Sequence, residues 1–195
     1  MSEALPLRDR KRLRTQQVLY DTAVELIAEH GYDHVTVEDI CDAAEVARAT
    51  FFRYFGTKAG LMLEFDRRIA RDIEATLARQ TLDTVQQLEV VQAAMASAWS
   101  KSHPNLRALG LDYLRSTAVS EMGVAVAGIR DVTARIIQSG YDDGTLRPVL
   151  PAKLAADLFV SNVRSAIYAG VTRRRRNGKA MHPVVDLYLN GIGKR

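Results

Sequence analysis

Residues Thr36 to Met62 read TVEDICDAAEVARATFFRYFGTKAGLM, and this stretch decides the fold. Thr36 with Asp39 three residues on is a capping-box-like helix start, with Asp in place of the usual Glu. About two turns follow before Ala44-Glu45-Val46, which reads as a tight turn, and then a second short helix. The apolar residues fall where a helix-turn-helix needs them: Ile40 and Cys41 in the first helix, Val46 in the turn, Phe51 and Phe55 on one side of the second. Such a helix is held by its neighbours on one side, while its other side is free to enter a major groove.

The chain has 5 Phe, 7 Tyr and 1 Trp, yet Phe51, Phe52, Tyr54 and Phe55 stand together, interleaved with Arg48, Arg53 and Lys58. Turning the helix at 100° per residue separates two roles. Phe51 and Phe55 share a face with Ala47 and are expected in the core. Ala49 and Arg53 point the opposite way, Thr50 and Phe52 flank them, and Arg48 sits at the N-terminal end, where recognition helices meet bases. Phe52 has two readings: packing on a neighbouring helix, or contact with a thymine methyl or sugar.

Outward from this stretch, nearly every long segment has helical periodicity. Leu19, Ala23, Leu26 and Ile27 mark a helix over Arg12–His30, stopped by Gly31. Thr57 reads as the N-cap of a long helix to about Arg79, with Leu61, Phe65, Ile69, Ile73 and Leu77 every four residues. Further helices are expected from Leu88 to His103, from Pro104 through Leu114, from Ser120 to Gly144, from Pro151 to about Arg173, and in HPVVDLYLNGIG. No strand run is evident. The spacing predicts an all-α protein of about nine helices.

The bulk composition is 47% hydrophobic and 26% charged, with a net charge of +4. No apolar run approaches the roughly 20 residues that span a bilayer, and MSEALPLRDRKRLR has no apolar segment of the secretory type. The single cysteine, Cys41, excludes an internal disulfide and reads as a structural thiol in a reducing compartment, so a cytoplasmic location is expected. Basic residues cluster in RDRKRLR (8–14) and TRRRRNGK (172–179). The first is either an arm on phosphates or in a minor groove, or a disordered leader. The second reads as a helix C-terminus, where the dipole favours cations. His30, His34, His103 and His182 lack metal-ligand spacing. No catalytic arrangement is legible, and no cofactor or metal is expected.

The quoted stretch resembles the DNA-binding head of the TetR family of bacterial repressors, whose pattern is a Thr-capped second helix, a GVSxxTFYxYFxxK turn and third helix, and a Leu opening helix four. The resemblance covers about residues 12–65. It implies that Arg48, Ala49, Thr50 and Phe52 face DNA, that Tyr54 and Lys58 reach phosphates, and that Thr36 bonds the DNA backbone; the helical wheel adds Arg53. Two positions depart from the pattern, Glu45 for Gly and Ala47 for Ser. Each costs about 1 kcal/mol, the first through a left-handed turn and the second through a lost cap.

The resemblance also implies a division into a head over 1–58, with a basic arm over 1–14, and a regulatory, ligand-binding and dimerisation body over 59–195. LAADLFVSNVRSAIYAGV and VVDLYLNGI are apolar over more than one face, which suits helices buried on one side by their own core and on the other by a second copy. Small residues at Ala155, Ala156, Ser161, Ala166 and Gly170 favour close helix approach. A homodimer reading a palindromic operator is therefore expected, released by a small, mostly apolar effector of unknown identity. Candidate pocket residues are Met95, Trp99, Tyr113, Met122, Phe159 and Asn162, most of them equally good core residues. Activation in place of repression, and a helical protein-interaction module without DNA binding, stand as alternatives.

Overall fold

The computed structural model describes residues 6–106, 110, 128–169, 174–176, 179–181 and 183–192. Among these, eight α-helices follow in order: α1 (Leu7–His30), α2 (Val37–Ala43), α3 (Arg48–Phe55), α4 (Leu61–Leu77), α5 (Thr84–Lys101), α6 (Ile129–Asp142), α7 (Ala152–Tyr168) and α8 (Pro183–Ile192). The fold is all-α in its architecture. A short antiparallel hairpin, β1 (Arg174–Arg176) and β2 (Lys179–Met181), separates α7 from α8, with Arg175 opposite Ala180.

That hairpin corrects the expectation of an unbroken helix to Arg173 with the arginines at its C-terminus. α7 stops at Tyr168, with Ala169 as its C-cap. The sequence signal was present: Asn177-Gly178 stands between the two strands, and such a dipeptide between extended segments is a strong hairpin signal.

Two compact units divide the described residues. The first holds α1 to α3 and the opening of α4 up to Phe65, together with residues 102–106 and 110; Asn105 Nδ2 donates to Ala28 O at 2.9 Å within it. The division falls inside α4, after Phe65, and Leu61, Met62 and Leu63 in the first turn of that helix are buried.

The second unit is built on α5, α6 and α7, with α8 against α5 and α7. Buried Ile129, Val132, Ile136 and Gly140 recur along α6 at intervals of three and four, with Thr133 and Ile137 beside them, the stripe that turns one helix face inward. A Cβ at Gly140 would lie 2.7 Å from Thr84 Cγ2 and 2.9 Å from Leu146 Cδ1, so close packing there demands glycine. Buried Gln92 on α5 accepts the N–H of Val185 in the first turn of α8, serving an otherwise orphaned donor. Asp66 and Glu74 of α4 bind Arg164 of α7 and Arg135 of α6. The start of the helix expected from Ser120 lies outside the described residues.

Candidate nucleic-acid interface

The head is assembled by short-range devices that the sequence specifies. Thr36 Oγ1 accepts the N–H of Asp39 at 3.1 Å, and Asp39 Oδ2 accepts the N–H of Thr36 at 2.8 Å, a complete capping box. Hydrogen bonds from the Thr36 hydroxyl and N–H hold the Asp39 carboxyl below the ordinary carboxylate range. At the other end of α2, Val46 N–H donates to Cys41 O at 3.0 Å and Glu45 N–H to Asp42 O at 3.2 Å. This is a Schellman closure, with Glu45 at the left-handed position (φ 53°) that glycine usually fills. Glu45 is the one non-glycine residue with positive φ among those described. Ala47 is the N-cap of α3 and provides no side-chain bond.

α3 divides as the wheel requires. Phe51 and Phe55 are buried, with ring centroids 5.1 Å apart. Arg48, Ala49, Phe52 and Arg53 are exposed, and Thr50 and Tyr54 are half-buried. Phe52 is 43% exposed while its ring meets Phe51 edge-on, so part of the side chain packs on the head and part stays accessible. The Arg53 guanidinium lies over the Tyr54 ring, 5.1 Å from its centroid. Thr36, at the start of α2, is exposed.

Lys58, expected to reach a phosphate, has its ammonium engaged within the head. Its Nζ donates to Tyr32 O at 2.7 Å and Val35 O at 2.8 Å and sits 3.8 Å from the Tyr32 ring centroid. The ammonium thus ties the segment between α1 and α2 to the approach to α4. Sequence spacing could not reveal this, because the partners are backbone carbonyls 26 and 23 residues upstream. The helix also starts later than Thr57. Thr57 Oγ1 accepts the N–H of Gly60, closing a turn, and α4 begins at Leu61. A Cβ at Gly60 would fall 1.8 Å from Phe55 O, so the turn can pass under α3 only with glycine there.

From residue 7 onward the basic leader is helical. Arg8, Arg10, Lys11, Arg12 and Arg14 belong to the first turns of α1, which opens after Pro6, with Asp9 in its first turn. Cys41 is buried; burial, then Asp42 and Glu38, push its thiol pKa up, as suits a structural position. A further contact was not legible in sequence: Arg48 Nη2 lies 2.6 Å from Glu38 Oε1, linking α3 to α2.

The candidate ligand residues do not form a comparable group. Met95 and Phe159 are core residues, the latter with its ring 5.2 Å from that of Tyr188. Trp99 meets Tyr168 edge-on at 4.7 Å. Asn162 is exposed on α7, outside the buried Phe159–Val163 face, so it is displaced from an interior pocket. Tyr113 and Met122 lie outside the described residues. A cleft of about 580 Å³ is lined instead by Gln138, Tyr141, Pro148, Leu150 and Pro151 among others. Among the described residues no group of His, Cys, Asp and Glu is arranged to hold a metal ion, and no helix is long and apolar enough to cross a membrane.

A three-helix head with a capped α2, a closed turn and an outward-facing α3 defines a helix-turn-helix regulator fold. Residues 19–65 match the family of bacterial regulatory proteins described as the tetR family. The HTH-type transcriptional regulator TcmR of Streptomyces glaucescens is 47% identical over 57 residues, 29% of this chain and 25% of the relative. The aligned stretch thus spans a quarter of that relative's length. The fatty acid metabolism regulator protein of Bacillus subtilis is 23% identical over 195 residues, covering 93% of this chain and 97% of the relative. Thermus thermophilus FadR, a TetR-family transcriptional repressor solved with lauroyl-CoA, shares the fold with a TM-score of 0.67 at 20% identity, covering 90% of this chain and 91% of that one. The match to the tetR family thus rests on the head, and the likeness beyond it is one of fold.

Proposed function

We propose that the protein is a ligand-responsive transcriptional repressor that binds a palindromic operator as a homodimer. The observation that carries this reading is the α2–turn–α3 geometry. Arg48, Ala49, Phe52 and Arg53 are exposed on α3, Thr50 and Tyr54 are half-buried there and Thr36 is exposed at the start of α2, which supports base contacts from the former group and phosphate contacts from Thr36 and Tyr54. Exposed Leu154 and Leu158 lie one turn apart on α7, and Leu187 on α8 is 67% exposed. With Ser161 and Ser165 continuing the α7 row, they make an apolar, small-residue face suited to a second copy. Two heads in a dimer then meet half-sites roughly one DNA turn, about 34–36 Å, apart.

The effector class we put first is a long-chain acyl-CoA thioester. Its support is the near full-length similarity to the fatty acid metabolism regulator and the fold shared with the lauroyl-CoA-bound repressor. In this reading the effector stabilises a body conformation in which α4, continuous from head to body, carries the heads off operator spacing.

The test is selection of bound duplexes from a genomic library, followed by gel shifts across salt. A recovered palindrome, released by lauroyl-CoA but not by free coenzyme A, supports repression by an acyl-CoA. Absence of any enriched sequence removes the DNA-binding reading, and release by neither compound removes the effector class alone. Leu158→Glu is expected to convert the dimer to monomer in light scattering and abolish operator binding. A monomeric wild-type protein at micromolar concentration refutes the dimer.

A further inference from the structure

We infer that Glu38 is a specificity-determining positioning residue: by ion-pairing Arg48 it withholds that cation from DNA phosphates and aims it along the recognition helix toward base edges. The inference rests on the DNA-binding reading of the head and concerns a residue that no sequence motif singled out.

Three observations converge. Arg48 opens α3, and its Nη2 is 2.6 Å from Glu38 Oε1, although the two side chains are 60% and 46% exposed. An exposed pair contributes little to stability, so its consequence lies in where it holds the guanidinium. Second, Glu38 does not stand alone: Glu38, Asp42 and Glu45 follow at intervals of four and three, placing three acids on one side of α2 and its closing turn. Glu38, Asp42 and Arg48 all act electrostatically on the same buried Cys41 thiol, which shows that these charges share one locality. Third, the helix preceding a recognition helix is the one that crosses the DNA backbone. An acidic row there repels phosphates, and its Glu38 gives Arg48 a partner other than a phosphate.

The consequence is a trade. An unrestrained arginine at a helix N-terminus adds a phosphate contact on any duplex, while one whose fork is held in place by a carboxylate reaches fewer phosphates and still meets a guanine edge that offers two acceptors in its path. Glu38 therefore lowers affinity for random DNA more than for the operator, a device of discrimination rather than of strength.

The experiment measures fluorescence anisotropy of the full-length dimer on two duplexes across 0.05–0.3 M NaCl (on the order of usual binding conditions). One is the sequence enriched by the wild-type protein from a random library; the other is its scramble. For Glu38→Gln we expect random-duplex affinity to rise about 3–10-fold with a smaller change on the selected duplex, and the salt slope on random DNA to steepen by about one per head. Repeating the selection with Glu38→Gln should lose base preference at one position in each half-site. Glu38→Asp retains the charge on a shorter stem and should restore part of the discrimination. In an Arg48→Ala background the Glu38→Gln effects should vanish. Equal slopes and equal selected sequences for wild type and Glu38→Gln overturn the inference while leaving DNA binding intact. A Glu38→Gln effect that persists in Arg48→Ala overturns it as well. A wild-type protein that enriches no sequence overturns the DNA-binding reading and this inference with it.

Discussion

Replacing Lys58 with methionine separates the two roles available to this residue. The substitution keeps the unbranched stem and removes the ammonium that bonds Tyr32 O and Val35 O. Tyr32 O retains the Val35 N–H at 3.4 Å, whereas Val35, buried at 2% exposure, loses its carbonyl's charged donor. Hydrogen bonds from a charged group contribute about 1.5–3 kcal/mol each, and an orphaned buried acceptor costs about 1–3 kcal/mol. Loss of the contact with the Tyr32 ring adds up to about 1 kcal/mol. Since these contributions overlap, Lys58→Met should destabilise the fold by about 2–4 kcal/mol. For a chain of this size that lowers Tm by about 5–15 °C. Circular dichroism melts of wild type and variant read this directly, and salt-dependent gel shifts read the other role. A Tm within about 1 °C of wild type, with a salt slope reduced by about one per head, would refute the clamp and return Lys58 to the phosphates.

Glu45→Gly should stabilise the protein by about 1 kcal/mol, because glycine occupies φ 53° without Cβ strain, and the same change removes an acid from the turn between α2 and α3. Chemical denaturation and gel shifts should move together, and a lower denaturation midpoint counts against the turn assignment. The Asp39 box is a pH device. Its carboxyl is harder to protonate in the folded state, so its contribution is present above the ordinary carboxylate range and lost as pH falls through the depressed pKa. Asp39→Asn should flatten the acid limb of stability against pH, and an unchanged limb excludes the linkage. In the body, Arg164→Met strands the Asp66 carboxylate, whose side chain is 5% exposed, and should cost about 3–5 kcal/mol. Burial already pushes Asp66 above its usual range against the pull of Arg164 and then Arg130. Adding Asp66→Asn should therefore recover much of the loss, and a double variant no more stable than Arg164→Met refutes the pairing.

The sequence by itself determined what depends on near neighbours. Helical period, the Thr36–Asp39 cap, the Glu45 turn and the split of Phe51 and Phe55 from Phe52 and Arg53 all act within one or two turns of chain. Their chemistry is therefore written in local spacing. The hairpin after α7 was equally local, signalled by Asn177-Gly178 and hidden by a run of arginines that also fits a helix end. Only the tertiary structure decided the rest. Lys58 met carbonyls of another segment, Glu38 met Arg48 across the turn, and Asp66 met Arg164 from 98 residues away. It also turned Asn162 outward while burying Phe159 three positions before it. A long charged or amphipathic side chain has many partners compatible with its sequence neighbourhood. Which one it takes is fixed when packing brings a single acceptor or counter-charge within reach and removes water from the others.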